Sequence, residues 1–162
     1  MKEVLDKITS YNLFNYLLPG VLFVMFLEKF TVFSLIQEDL ITGAFVYYFV
    51  GLVISRFGSL VIEPVLKRTS FLRPASYSDF ISASKSDQKI ESLSETNNMY
   101  RTFVAMVVLL LLLKAYELFS SSLSFLSGYS LHILLTILLI MFLLSYRKQT
   151  QYITKRINAN KS

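Results

Sequence analysis

The sequence predicts an all-α fold, a four-helix transmembrane bundle with a cytoplasmic helical hairpin or extension between the second and third spans. Four apolar blocks are each long enough to cross about 30 Å of bilayer hydrocarbon as a helix. Charged residues make up only 17% of the 162 residues, against 54% hydrophobic residues, and soluble domains carry about 25% charged residues. Basic residues cluster beside particular blocks, as membrane topology requires.

The first span is predicted over residues 11–35. Lys2 and Lys7 precede it in the manner of a signal peptide, but no small-residue cleavage site follows the apolar run. This pattern indicates an uncleaved span. Pro19 and Gly20 lie inside it, and we expect a kink there, because proline removes a backbone donor and clashes with the preceding turn.

The other three spans are predicted over residues 40–62, 102–119 and 124–146. The second is expected to end at Glu63 and Pro64, because proline disfavours the helical conformation in the residue before it. Each block has about 18 to 25 residues, the length that a membrane-spanning helix needs.

The loop charges predict that both termini lie in the cytoplasm, as in a multi-pass protein of the bacterial inner membrane. The loop between the first two spans has Lys29 against Glu28, Glu38 and Asp39, which suits the periplasmic side. The cytoplasmic side would then hold segment 65–100 and tail 147–162. Their basic residues are Lys67, Arg68, Arg73, Lys85, Lys89, Arg147, Lys148, Lys155, Arg156 and Lys161.

The segment 65–100 is expected to contain a helix capped by Ser78 or Asp79. A thin apolar stripe from Phe80 to Tyr100 has helical spacing and leads into the third span. We expect so weak a stripe to pack on a partner chain or on the neighbouring loop. The tail has the basic and apolar composition of a helix that lies on the membrane or leaves it.

Arg56 is the most informative polar residue of the spans. It lies about 9 to 12 Å from the inner end of the second span, and a charge at such a depth is expected to face protein or water. It could serve as a pore or partner-binding group. Alternatively, its side chain could extend to the cytoplasmic interface and meet Glu63 or a lipid phosphate.

Lys114 and Glu117 are three residues apart on the third span and can form an ion pair on one helix face. Glu28 of the first span should lie at a similar depth, so that Glu28 and Lys114 could also come into contact. These residues could form a charged pathway or sensor, or an interfacial ion pair that orients the bundle.

Gly51, Ser55 and Ser59 recur every four residues on the second span. Small residues at this spacing let two helices approach closely in lipid. The pattern fits self-association and packing inside one protomer equally well.

Several polar residues mark the predicted cytoplasmic boundary. Asn12 and Asn15 of the first span could form hydrogen bonds across helices. Asn97 and Asn98, which precede Arg101 and the third span, could cap a helix or mark a break.

The residue inventory predicts that the chain is not an enzyme and has no cofactor or metal. It contains no cysteine, its one histidine, His132, cannot form a multi-histidine metal site, and no catalytic motif is present. The net charge of +5 comes with no nucleic-acid-binding motif, so we expect topology and not nucleic acid to explain it.

Residues 10–20 (SYNLFNYLLPG), 77–80 (YSDF) and 97–101 (NNMYR) resemble segments of small multi-span inner-membrane proteins of bacteria. In size and topology, the chain is also similar to the membrane subunit of the Kiwa antiviral defence system. The resemblance implies a membrane component of such a system.

Two functions follow as hypotheses. In the first, the chain is a non-enzymatic membrane protein that forms a homo-oligomer and docks a cytosolic protein through segment 65–100 and the tail. In the second, it is an oligomeric ion channel or membrane-disrupting effector whose path is lined by Arg56 and Lys114.

Overall fold

The computed structural model describes residues 13–120 and 124–159, and the side chains of 13–120 and 128–159. The described residues form five helices and no strand, which confirms the all-α fold. All but the third helix are long and apolar enough to cross a membrane, so the chain is a multi-pass membrane protein. The helices are α1 (Leu13–Phe30), α2 (Leu40–Arg68), α3 (Tyr77–Ser86), α4 (Lys89–Ser120) and α5 (Ser124–Ala159).

Three of the spanning helices extend beyond the predicted spans. Helix α2 continues through Pro64 to Arg68, so the prediction that Pro64 ends it is wrong. Helices α4 and α5 have 32 and 36 residues, or about 48 and 54 Å of helical rise. Hydropathy indicates which part of a helix lies in the bilayer hydrocarbon, which is about 30 Å thick. It does not indicate where the hydrogen bonding of the helix ends.

A π-helical turn explains how α2 passes its proline. In this turn the N–H of Glu63 donates to the carbonyl of Gly58, five residues back. The wider turn accommodates Pro64, which lacks an N–H and whose ring crowds the carbonyl four residues earlier. Pro19 of α1 has the same arrangement, since each turn ends two residues before its proline. The turns are Leu13–Leu17 and Gly58–Ile62.

Helix α1 ends at Phe30, five residues before the predicted end. Thr31 is extended, and its hydroxyl donates to the carbonyl of Leu27 at 2.8 Å. The segment that follows has no helix, yet the N–H of Gln37 finds an acceptor in the Tyr47 hydroxyl at 3.1 Å. Side chains therefore supply some of the hydrogen bonds that a longer helix would have made.

Helices α1, α2 and α4 share the hydrophobic core. Helix α5 packs at the side of the bundle, and Met141 is the buried residue among its described side chains. The rest of its apolar surface is free to contact lipid. The core side chains, each 5% exposed or less, are Phe23, Val24, Leu27, Ile54, Ala105 and Met106.

Two glycines let α1 and α2 cross in backbone contact. A Cβ atom on Gly51 would overlap the carbonyl of Tyr16, and one on Gly20 would overlap the carbonyl of Tyr47. Each glycine thus faces the backbone of the opposite helix. Such close approach maximises dispersion contacts, which drive helix association where lipid removes the hydrophobic effect.

The small-residue face of α2 is covered within the protomer. Gly51 and Ser55 are both buried, and Ser59 contacts Lys148 of α5. This face was predicted to serve either self-association or packing inside one protomer, and in the structure it packs inside one protomer. A second copy would therefore have to bind another surface.

Helix α3 begins after Ser76, whose hydroxyl accepts a hydrogen bond from the N–H of Asp79. The expected caps, Ser78 and Asp79, are wrong by two or three residues, because both already lie in the first helical turn. The break before α4 is at Asp87, whose carboxylate accepts from the N–H of Lys89 at 2.9 Å.

Candidate functional site at the charged end of the bundle

Glu63 lies where α2, α4 and α5 meet, and three cations of the described chain surround its carboxylate. Its Oε1 atom accepts a hydrogen bond from Lys67 at 2.6 Å, and its Oε2 atom accepts one from Arg101 at 2.9 Å. Lys148 Nζ lies 3.5 Å from Oε2. One carboxylate therefore joins three spanning helices. We call the end of the bundle with this cluster the charged end.

The proline of α2 also creates the acceptor that holds Lys148. In a π-helical turn, the carbonyl of Ser59 would accept from the residue five positions on, which is Pro64 and has no N–H to donate. Lys148 Nζ instead donates to this carbonyl at 2.6 Å and to the Ser59 hydroxyl at 2.8 Å. The sequence of α2 thus fixes where α5 can dock.

Positive charge dominates the charged end. Three cations, Lys67, Arg101 and Lys148, lie around the carboxylate of Glu63, so this cluster has a formal net charge of +2 (three minus one). Within residues 13–120 and 128–159, the Arg56 side chain has no hydrogen-bond or ion-pair partner.

Of the two partners considered for an Arg56 side chain that extends to the interface, Glu63 makes no contact with it in the described structure, because other cations occupy Glu63. Arg56 instead lines a groove between α2 and α5 together with Ser145 and Lys148. Arg101, which the sequence placed at the boundary of the third span, does lie at this end, and its Nε atom is buried without a described partner.

The opposite end of the bundle has its own ion pair. Lys114 donates to Glu117 at 2.9 Å, which confirms the predicted pairing along α4. The second carboxylate oxygen of Glu117 accepts from the N–H of Val32, just after α1. Glu28 is exposed and forms no ion pair with Lys114 among the described residues, because Lys114 pairs with Glu117. The arrangement favours an ion pair that holds α1 against α4.

A buried polar contact joins α1 to α4 inside the bundle. Asn15 is 2% exposed, and its Oδ1 atom lies 3.3 Å from the hydroxyl of Thr102. That hydroxyl also donates to the carbonyl of Asn98 at 2.9 Å. Asn97 and Asn98 lie within continuous α4, so neither caps a helix nor marks a break. Asn12 lies outside the described residues.

A helical head extends from the charged end. We define it as α3, residues 89–101 of α4 and residues 147–159 of α5. Ile81 of α3 is 3% exposed, and the ring centroids of Tyr77 and Tyr152 are 6.1 Å apart. These contacts fold the segment between the second and third spans onto both long helices.

His132 belongs to the exposed surface of α5, and its ring lies 6.3 Å from that of Tyr129. In the described part of the chain, no three His, Cys, Asp or Glu residues converge to hold a metal ion.

The sequence reasoning missed the central role of Glu63 and Lys148. The sequence marks Glu63 only as a helix end and as one partner for Arg56, and Lys148 only as a charge of the tail. Orientation by loop charge places the ends of the second and fourth spans and the start of the third on one side. That shared depth is the signal that could have brought Glu63, Arg101 and Lys148 together.

Comparisons with models of protein families, with curated proteins and with solved structures found no match to this chain.

Proposed function

We propose that the chain is a non-enzymatic protein of the bacterial inner membrane that self-associates and holds a cytosolic protein at the membrane. The helical head, built on two spanning helices that continue past the hydrocarbon, carries this proposal. A projection of this kind would offer a binding surface beyond the bilayer.

The head would face the cytoplasm. It contains basic residues of the third, fourth and fifth helices, whereas segment 31–39 at the opposite end has no Lys or Arg and contains Glu38 and Asp39. Short loops rich in Lys and Arg stay on the cytoplasmic side. Both described chain ends would then lie on the cytoplasmic side, because α5 ends in the head and α1 begins at the same end of the bundle.

An uncovered apolar pair on α5 supplies the docking surface. Ile153 and Ile157 are one helical turn apart and are 54% and 50% exposed. Tyr152 packs against α3, which keeps this part of α5 with the head. Ile157 is nine residues past Lys148, or about 14 Å along the helix, and a helix that leaves the membrane at Lys148 would carry it away from the membrane surface.

The charges around this pair indicate the chemistry of the partner. Residues 147–159 contain Arg147, Lys148, Lys155 and Arg156 and no acidic residue. A basic helix with a short apolar stripe suits a partner that presents an acidic amphipathic helix, because the apolar faces pack while the opposite charges select the partner.

Self-association would use the membrane surface of α5. Its described side chains are exposed apart from Met141 and a few partly buried neighbours, so a second copy can pack there without disturbing the core. Mass measurement of the protein in lipid nanodiscs tests this point. We expect a multiple of the chain mass, and a single chain would contradict self-association.

The channel hypothesis has less support. Arg56 lies near the charged end, whereas Lys114 lies near the opposite end and is paired with Glu117. A shared path would need both cations to face one lumen without a neutralising partner.

Photocrosslinking in cells that naturally contain the protein tests the docking surface. A photoreactive amino acid replaces Ile157 in one variant and Tyr129, at the opposite end, in a control. We expect Ile157 to yield an adduct with a second, acidic cytosolic protein and Tyr129 to yield none. Ile153→Ser should remove the adduct from the Ile157 variant, whereas Gln151→Ser should retain it.

An adduct between two copies of the chain at Ile157 would show that self-association covers this surface and would contradict docking. An adduct with lipid alone would place the end of α5 on the membrane and would also contradict it.

A further inference from the structure

Parallel packing of α2 and α5 forms a polar groove at the charged end. Ser59 bonds to Lys148, and because both helices run in the same direction, residues one turn earlier, Arg56 and Ser145, lie at a common level. The groove is lined by Arg56, Ser59, Leu60, Ser145, Lys148, Gln149 and Tyr152.

Two polar groups of the groove have no protein partner in the part of the chain that the structure describes. The Ser145 hydroxyl is buried without a hydrogen bond, and Arg56 lacks an ion pair. A buried hydroxyl without a partner is unfavourable, as is an unpaired guanidinium within a spanning helix. An acceptor bound to Arg56 that also reached the floor of the groove would satisfy both.

The surrounding charge selects an anion. Lys148 is shared with Glu63, but the three cations around Glu63 leave a formal net charge of +2, and Arg56 adds a further positive charge in the groove. The guanidinium of an arginine matches the spacing of two phosphate oxygens and can bind them through two parallel hydrogen bonds. Serine, glutamine and tyrosine side chains can donate further bonds to the remaining oxygens.

We propose that this groove binds a phosphate group. Arg56 is the principal ligand, Ser145 donates a hydrogen bond, and Lys148 supplies charge while it remains bound to Ser59. The phosphate of an anionic phospholipid and a free phosphate ion share this chemistry. The site lies apart from the docking surface at Ile153 and Ile157, so either proposal can fail without the other.

Native mass spectrometry of the full chain in detergent tests the proposal, with short-chain phosphatidylglycerol as the probe. A matched diacylglycerol, which has the tails but no phosphate, is the control ligand. We expect Arg56→Gln to weaken phosphatidylglycerol binding roughly tenfold, because it removes charge-assisted hydrogen bonds. Arg147→Gln removes the same charge from the neighbouring surface of α5 and should leave binding within about twofold.

Ser145→Ala keeps the test decisive if Arg56→Gln does not fold. It removes a buried hydroxyl that has no described partner, so thermal stability should be unchanged or higher, while phosphatidylglycerol binding weakens. Arg56→Lys should restore only part of the affinity, because lysine keeps the charge but lacks the fork.

Inorganic phosphate, added as a competitor at the concentration of the lipid probe, distinguishes the two sources. Weak competition supports a lipid headgroup, and full displacement supports free phosphate. Three results would overturn the site: equal binding of diacylglycerol, equal weakening by Arg147→Gln and Arg56→Gln, or unchanged binding in both Ser145→Ala and Arg56→Gln.

Discussion

Replacing Glu63 with glutamine removes the charge that joins three helices and keeps the side-chain shape. The carboxylate is largely shielded, with 15% of the side chain exposed. Its bond to Arg101, itself 21% exposed, is a charge-assisted hydrogen bond of about 1.5–3 kcal/mol. The bond to Lys67, which is 42% exposed, contributes about 0.3–0.5 kcal/mol.

We therefore expect Glu63→Gln to lower the free energy of unfolding by about 2 kcal/mol. The value lies near the lower end of the range because a glutamine oxygen can still accept one hydrogen bond. Lys148 retains its bonds to Ser59 and adds less to the loss. Lys67→Gln is the matched control, since it removes only the exposed pair and should cost less than about 0.5 kcal/mol.

The assay follows protease resistance across a titration of sodium dodecyl sulfate into mixed micelles, because the chain has no tryptophan for fluorescence. A double-mutant cycle of Glu63→Gln with Arg101→Gln should give a coupling energy of about 1–2 kcal/mol. If Glu63→Gln costs no more than Lys67→Gln, the carboxylate does not hold the three helices together, and the reasoning is refuted.

Three further changes probe other contacts. Gly51→Val should prevent the crossing of α1 and α2 and lower the free energy of unfolding by about 3 kcal/mol or more. Gly128→Ala, whose Cβ meets open space, should leave it unchanged. Unfolding in mixed micelles measures both variants, and equal effects would contradict the crossing. Thr102→Val should cost about 1 kcal/mol by the same assay, and no loss would mean that its bonds do not stabilise the bundle. The N–H of Thr42 donates to the Asp39 carboxylate and lowers the pKa of that carboxyl group. The cap should therefore persist above pH ~4 and be lost as the pH falls through the lowered pKa. Amide exchange at Thr42 that is already fast at pH 7 would contradict this prediction.

The sequence predicts the spans well because lipid imposes one simple requirement. A helix must hide its backbone polar groups over about 30 Å, and only four blocks of this chain are long and apolar enough. The requirement ends at the hydrocarbon boundary, however. It gives no information on whether α4 begins at residue 102 or, as the structure has it, at Lys89.

The charged cluster is harder to predict because its members are far apart in the chain. Glu63 and Arg101 are separated by 38 residues, and no local pattern marks their contact. Proline usually indicates the end of a helix, but the π-helical turn before Pro64 lets this helix continue. The same turn leaves the carbonyl of Ser59 free to accept a hydrogen bond from Lys148. Local pairs, such as Lys114 with Glu117, could be predicted because helical spacing alone brings them together.

The side of the membrane on which the head lies is the claim on which the proposed function depends. Single cysteines introduced by Lys85→Cys in α3, Asn158→Cys in α5 and Gln37→Cys at the opposite end report it cleanly, because the chain has no cysteine of its own. With a membrane-impermeant maleimide on intact spheroplasts, we expect labelling at position 37 alone, and labelling at 85 and 158 only in inverted vesicles. Labelling of position 85 or 158 from outside would contradict a head that docks a cytosolic protein.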